Sequence, residues 1–228
     1  MAQNVGNAKN ILVGASPLFI SNIDVTDADY VDNAEPGQGD YAFVSGESFT
    51  TTLNGIDQVA GDFGYRNVGY TNNGLQVTYN PSYGSVTVDQ LLDTAKLFKE
   101  SMEVMIATEM AEGTLENVLA VFGQRSTTLA STGTGLTAQD KLGLAAGALG
   151  EAPTERQLIA VGQAPTSEAT ATERVYYARR VLSVQQSQFS LARNAATTFP
   201  VTFRLLPSGD SANAGQEYGF IVDRVLTV

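Results

Sequence analysis

The sequence predicts a mainly β protein, an antiparallel β-sandwich or partly closed barrel with one flanking α-helix. Segments rich in β-branched and aromatic residues recur along the chain between Gly, Pro and Asn turn signals, which is typical of antiparallel strands. Only residues 114–123 combine the apolar period of a helix with matching end signals. The 228 residues are 43% hydrophobic, which is enough for a packed core, and we expect one domain over residues 1–228.

Residues 101–110 predict a strand with one buried face. Apolar and polar side chains alternate there with the period of two that a half-buried strand requires. A single long helix through residue 123 is the alternative, because Glu, Met and Ala favour helices. Four residues of this half also fit a helical stripe: Met102, Met105, Ile106 and Met110. We favour a strand that ends before Gly113, followed by a helix.

The helix is predicted over residues 114–122. Its apolar side chains recur at i, i+3, i+4 and i+7, which forms one stripe. Thr114 is expected to cap the first turn, and Gly123 is expected to end the helix in the left-handed conformation. The predicted core residues of the strand and helix are Met102, Val104, Ile106, Leu115, Val118, Leu119 and Phe122.

The N-terminal part predicts short strands and a long excursion. Residues 11–23 begin with an apolar run broken by Pro17, which suits an edge strand or a bulge better than a central strand. Residues 24–64 are rich in Gly, Asp, Asn and Thr and predict a long excursion with short strands at 41–44 and 48–53. An excursion of that length in a compact domain is either functional or disordered.

Residues 65–89 predict a β-meander. Asn73 and Gly74 form a hairpin turn signal, and residues 80–84 predict a second turn between alternating segments. Residues 91–100 fit either a strand or a helix.

The C-terminal half predicts four strands after a flexible segment. Residues 124–155 are rich in Ala, Gly, Thr and Ser, bury little surface, and predict a loop with at most one short strand. The four strands, rich in β-branched and aromatic residues, cover residues 157–162, 174–184, 199–206 and 218–226.

The composition removes much catalytic and metal chemistry. The chain has no Cys, His or Trp, so disulfides, thiolate or imidazole metal sites and His-dependent catalysis are excluded. No membrane-length apolar run occurs, and residues 1–10 lack the apolar block of a signal peptide, so neither a membrane span nor secretion is expected. We expect no enzyme activity, no catalytic residue, no cofactor and no metal site.

Three local motifs carry weak chemical signals. Residues 22–33 hold several carboxylates but lack EF-hand spacing, so a solvated acidic loop is favoured and a calcium site is the alternative. Residues 131–138 have two glycines in the style of a phosphate loop, but no Lys. Glu109 and Glu112 offer paired carboxylates for acid–base chemistry, yet we expect them to flank the joint between strand and helix.

Two tyrosines lie close to two arginines, a combination that can stack on single-stranded bases, but their spacing along a strand argues against such a face. Tyr176 and Tyr177 lie close to Arg179 and Arg180. Adjacent strand residues point to opposite faces, so only one Tyr and one Arg can share a side. Packing in the core or in an interface is therefore favoured.

The net charge of −11 argues against a protein that grips nucleic acid. Between Lys9 and Arg66 there are nine acidic and no basic residues, whereas residues 168–204 carry five Arg against two Glu. These regions could meet across an interface between copies, or the acids could simply form a soluble surface. In the first case, reversing Arg179 and Arg180 to Glu should weaken assembly in a salt-dependent way.

The order and spacing of five segments resemble the major tail tube proteins of long non-contractile-tailed bacteriophages, the siphophage type. The segments are ILVGASPLFI (11–20), VGYTNNGLQVTYNPSYGSVTVDQ (68–90), EVMIATEMAEGTLENVLAVFG (103–123), FPVTFRLLPSG (199–209) and EYGFIVDR (217–224). Together they span most of the chain. Residues 24–64 and 124–155 fit the family pattern less well.

The resemblance implies a β-sandwich flanked by one helix that assembles into hexameric rings. Stacked rings would form the tail tube through which DNA is ejected, made in the host bacterial cytoplasm and located in the virion tail. The implied partners are other copies, tape measure, terminator and distal tail proteins, and passing DNA that is not bound specifically. The alternative is a β-sandwich receptor- or glycan-binding tail accessory module.

Overall fold

A computed structural model describes residues 16–21, 52–53, 56–57, 65–89, 93–165, 172–185, 187–191, 193–194 and 196–225. Within these ranges the fold is mainly β, an antiparallel sandwich with one flanking α-helix, as the sequence predicts. The helix, α1, spans Leu115–Val121. The strands are β1 Leu18–Ser21, β2 Thr52–Leu53, β3 Ile56–Asp57, β4 Tyr65–Asn67, β5 Thr71–Thr87, β6 Thr94–Met110, β7 Leu129–Thr132, β8 Gln139–Leu142, β9 Arg156–Gln163, β10 Thr172–Ser183, β11 Phe199–Leu205 and β12 Gly219–Val225.

Eight strands form one antiparallel sheet in the order β4-β1-β9-β10-β11-β6-β5, with β12 also paired to β10. The first half of β10 lies between β9 and β12, whereas its last residues pair with β11. A bulge between Ala178 and Val181 marks this change of partner, because bulges bend strands. The pairs β2–β3 and β7–β8 are separate hairpins.

The core divides between the two faces of the inner strands. Along β9, Leu158 and Ala160 join the main cluster, whereas Ile159 and Val161 join a second cluster on the opposite face. Because strand side chains alternate between faces, an uninterrupted apolar run fits a strand that is covered on both sides. The main cluster also contains Val104, Ile106 and Met110 of β6 and Val201, Phe203 and Leu205 of β11.

The predicted joint between strand and helix is confirmed. β6 ends at Met110, and α1 begins after Thr114, whose hydroxyl accepts a hydrogen bond from the Asn117 N–H at 3.3 Å. This bond satisfies one free donor of the first helical turn. Gly123 follows the helix with φ +63°, the left-handed conformation that suits Gly at a helix end.

The predicted core residues of this joint are only partly buried. Val104, Ile106 and Leu119 are buried, and Met102 and Val118 pack against the main cluster while partly exposed. Leu115 is half-buried, and Phe122 is 37% exposed. The prediction that Phe122 lies in the core is therefore wrong. The helix is short, and Phe122 lies at its C-terminal cap, past the turns that face the sheet.

The predicted meander over residues 65–89 is replaced by the short strand β4, which pairs with β1, and by the 17-residue strand β5, which is paired along its length with β6. Asn73 and Gly74 have φ of +60° and +66°, but they form a bulge between the pairs Asn72–Glu109 and Gln76–Ala107. Positive φ suits a bulge as well as a hairpin turn, so the dipeptide alone does not distinguish the two. The second predicted turn, at residues 80–84, is extended strand.

Two further predictions need correction. β1 begins one residue after Pro17 and pairs with both β4 and β9, so it is not an edge strand. Pro at that position is tolerated because it precedes the ladder. Residues 124–155 contain the β7–β8 hairpin rather than a loop with one strand.

The other predictions are either confirmed or concern residues outside the described ranges. The four C-terminal strands are confirmed, as β9 to β12. The acidic run 22–33 and the predicted strand 41–44 lie outside the described residues, as does most of the strand 48–53.

Candidate assembly surface

The outer part of the β5–β6 ribbon projects from the sheet. We call residues 79–89 and 93–101 the arm. β5 is the last strand of the sheet, and its pairing among the described residues is with β6 alone. Nearly every arm side chain is exposed, and only Pro81 and Gly84 are half-buried. From Tyr79 to Thr87 the ribbon extends about 25 Å, since a strand rises about 3.3 Å per residue.

Large apolar side chains are exposed along the arm. Leu97 is 65% exposed, and Tyr79 and Tyr83 are each 59% exposed. The other exposed apolar residues of the arm are Val86, Val88 and Phe98. Exposed apolar side chains gathered on one segment mark an interaction site more often than a solvated face.

One face of the ribbon continues from the core into the arm. The pairs Val77–Ile106 and Tyr79–Val104 have their β6 members buried in the main cluster. Directly paired residues share a face, so Tyr79 lies on the face that packs into the core. Tyr83 lies on the same face beyond a register shift, because its partner Lys99 has its ammonium nitrogen 5.8 Å from the centre of the Tyr79 ring. Apolar side chains therefore continue on this face of the ribbon beyond the part that packs against the core of the subunit.

The opposite face of the arm is organised around Gly84. A Cβ at this position would come within 2.6 Å of the Phe98 ring and 2.3 Å of a Glu100 carboxylate oxygen. Phe98 is the cross-strand partner of Gly84, so its ring lies across the bare backbone. Because Gly84 has no side chain, the Phe98 ring can lie over the backbone of the ribbon. The face opposite Tyr79 and Tyr83 therefore also carries an exposed apolar side chain.

A two-stranded ribbon that no third strand or helix supports is at most marginally stable in water. The arm meets that description, because β5 has an open outer edge and no other described element covers it. Long exposed edges with apolar side chains are sites where another chain pairs or packs. The arm is therefore the surface of this fold that is best suited to association.

The predicted acid–base pair has structural roles. Glu112 accepts a hydrogen bond from the Tyr70 N–H at 2.9 Å, and Glu109 accepts one from the Asn72 amide at 3.2 Å. Both carboxylates therefore hold the end of the β5–β6 ribbon that joins the body of the subunit, beside the bulge at Asn73 and Gly74. Residues 131–138 connect β7 to β8 through a short 3-10 turn at Gly135–Thr137, so their glycines form a hairpin connection.

Asn117 ties the start of α1 to the ribbon base. Its buried side chain donates to the carbonyls of Val68 and Glu112 at 2.8 and 2.9 Å and accepts from Arg66. Burial lowers the pKa of Arg66, with Glu116 opposing that shift. Sequence reasoning missed this network, because its partners are far apart in the chain and no local pattern marks them.

Four arginines of the last third are held by partners within the subunit, whereas Arg193 is exposed. The buried Arg179 donates to the Gln216 carbonyl at 3.0 Å and lies 5.4 Å from the centre of the Tyr177 ring. Arg180 forms a two-point pair with Glu155 at 2.6 and 2.9 Å. Two more pairs are Arg174–Asp223 and Arg204–Glu103. The side chains of Arg179 and Arg180 therefore have partners within the subunit, and the salt-dependent weakening of assembly on their reversal stays a prediction.

The prediction that Tyr176 and Tyr177 point to opposite faces of their strand is confirmed. Tyr176 packs against the main cluster and Tyr177 belongs to the second cluster, so they lie on opposite faces of β10. The ring of Tyr177 stacks on Phe220 at 4.9 Å. Neither forms part of an open aromatic face for bases.

The pair Arg174–Asp223 on β10 and the edge strand β12 makes the free energy of unfolding depend on pH. Its hydrogen bonds lower the pKa of Asp223 and raise that of Arg174. A carboxyl whose pKa is lower in the folded state stabilises the fold above its unfolded pKa, about 3.9, and this contribution is lost as the pH falls through the folded pKa. The pair is exposed, so we expect Asp223→Asn to lower the unfolding free energy by less than about 1 kcal/mol at pH 7.

Thermal unfolding of the wild type and Asp223→Asn at pH 7 and near pH 2 measures this effect. The difference in Tm should be present at pH 7 and absent near pH 2. Asp140→Asn is the matched control, because Asp140 is exposed on β8 and makes no salt bridge among the described residues. A difference that persists at low pH would contradict the assignment.

No protein-family model and no curated protein sequence matches the chain. Within the described ranges, no group of three acidic side chains is placed to hold a metal ion. Across the same part of the chain, no helix is long and apolar enough to cross a membrane.

Proposed function

We propose that this chain is a structural virion protein that self-assembles into stacked hexameric rings and forms a phage tail tube, the conduit for DNA ejection. The observation that carries self-assembly is the arm, whose exposed apolar side chains continue the pattern of the core-facing ribbon. The hexameric ring, the tail and the other tail proteins come from the resemblance of the sequence segments. The proposal includes no enzymatic role.

The charge of the chain agrees with passage of DNA without binding. Six copies at −11 would give each ring a formal charge of −66. Acidic or neutral walls repel phosphates and offer no gain from counterion release, so DNA can slide past them. Among the described arginines of the last third, Arg193 is exposed without a salt bridge, whereas the others with described side chains are paired or buried within the subunit, which leaves few of them to attract the DNA backbone.

The alternative of a glycan- or receptor-binding module has one supporting observation. Tyr70, Tyr79 and Tyr83 are exposed, and tyrosine rings can stack on sugars. Tyr79 and Tyr83 lie on a strand of the ribbon, however, and not in a loop cluster around a concave site. We therefore favour packing against protein for these rings.

Light scattering and electron microscopy of the purified full-length chain test the proposal. We expect six-membered rings or tubes, formed at high protein concentration or beside tail initiator proteins. A monomer that never polymerises under either condition would contradict self-assembly. Such a monomer, if it bound a glycan and lost that binding in Tyr79→Ser, would support the accessory module instead.

A further inference from the structure

A second exposed apolar surface lies beside the far end of β6. The Phe189 ring packs on the buried Phe199 with ring centres 4.7 Å apart, and the ring centre of Phe122 lies 6.2 Å from that of Phe189. Phe199 pairs with Met110, the last residue of β6. Leu191, which follows in the chain, is 85% exposed. We call Phe122, Phe189 and Leu191 the apolar patch.

The arm and the apolar patch lie at opposite ends of one ribbon. β6 runs from Thr94 in the arm to Met110 beside the patch, which is about 50 Å along an extended strand. The two surfaces therefore cannot cover each other within one chain. Two different apolar surfaces at opposite ends are what a head-to-tail contact between copies requires, and repetition of such a contact gives rings or filaments.

We propose that the arm of one copy docks on the apolar patch of a second copy. The inference rests on the proposed function, because its occupant is another copy of this chain. Both surfaces leave apolar side chains in water, and their union removes that exposure on both sides at once. An arm that met only another arm would give closed pairs and would leave the patch uncovered.

The charges near the two surfaces are complementary. The arm is net acidic, because its exposed charges are Asp89, Asp93 and Glu100 against Lys96 and Lys99. Arg193 is exposed two residues after Leu191 and makes no salt bridge among the described residues. Opposite charges at the rim of an apolar contact set its register and exclude wrong pairings.

Cysteine cross-linking tests this contact, because the natural chain contains no Cys and any introduced thiol reports alone. Leu97→Cys and Leu191→Cys are placed together in the full-length chain, which is then treated with a short bismaleimide under assembling conditions. We expect a ladder of covalent multimers, since each chain joins one neighbour through its arm and another through its patch. A mixture of the two single variants should give cross-linked dimers only.

The matched control combines Leu97→Cys with Ile221→Cys, because Ile221 is 63% exposed, like Leu97, and lies on the edge strand β12, which pairs with β10. This control should give no ladder. Dimers formed by Leu97→Cys alone, without a ladder in the double variant, would show an arm-to-arm contact and overturn the inference.

The inference and the proposed function fail separately. Rings or tubes without the Leu97–Leu191 ladder would overturn the docking site and leave the tube intact. A ladder from a protein that forms no rings or tubes would support the contact while contradicting the tube. Unfolding curves that match the wild type would show that the variants are folded.

Discussion

Tyr83→Asp combined with Leu97→Asp is expected to abolish assembly while leaving the subunit folded. Both side chains are mostly exposed in the subunit, so their replacement removes little intramolecular packing. Burying an apolar side chain of this size contributes about 1.5–3 kcal/mol, so losing two per contact weakens association by at least about 100-fold. The carboxylates add a desolvation cost at the contact. Sedimentation and electron microscopy measure the loss, and thermal unfolding reports the fold.

The matched control for this prediction is Ile221→Asp. Ile221 is 63% exposed, like the arm residues, but it lies on the edge strand β12, which pairs with β10. We expect its assembly and its Tm to equal those of the wild type. Normal rings or tubes from the Tyr83, Leu97 double variant would show that the arm does not carry assembly, and the proposed function would lose its main support.

Arg179→Glu is expected to destabilise the subunit itself. The Arg179 side chain is 3% exposed, donates to the Gln216 carbonyl, and lies over the Tyr177 and Phe220 rings. A carboxylate there would face a carbonyl oxygen and the negative ring faces without its donor, so we expect a loss of about 3–5 kcal/mol in unfolding free energy. Denaturant unfolding of the unassembled subunit at several salt concentrations measures it.

The control for this reversal is Arg193→Glu. Arg193 is exposed and forms no salt bridge within the described residues, so its reversal should change stability by no more than about 0.5 kcal/mol. If Arg179→Glu unfolded like the wild type and only weakened assembly, and did so less at high salt, then Arg179 would contact a neighbouring copy. That result would overturn the structural role given to it here.

The helix and its junction with β6 were predictable because their determinants are local. A helix cap needs a hydroxyl three residues from a free N–H, and a helix end needs a residue that accepts positive φ. Thr114 and Gly123 meet these needs in the sequence and in the structure. The strands β9 to β12 were predictable for the same reason, since β-branched and aromatic runs between turns favour extended backbone.

The arm was not predictable, because its local signals were ambiguous. Asn73 and Gly74 adopt the positive φ that a hairpin turn needs, yet they occupy a bulge whose register is set by β6. Residues 80–84 contain Pro, Ser and Gly, which favour turns, but pairing with β6 keeps them extended. A turn or a straight strand is decided there by the partner strand, which lies about twenty residues away.

The sequence by itself determined the β-rich class, the single described helix, its cap and the absence of Cys and His chemistry, because each depends on composition or on neighbours within one turn or strand. Only the tertiary structure decided that Arg179 and Arg180 are bound within the subunit, and that apolar surfaces remain exposed at both ends of the β5–β6 ribbon. Burial and charge pairing are set by residues distant in the chain, so no local pattern can assign them.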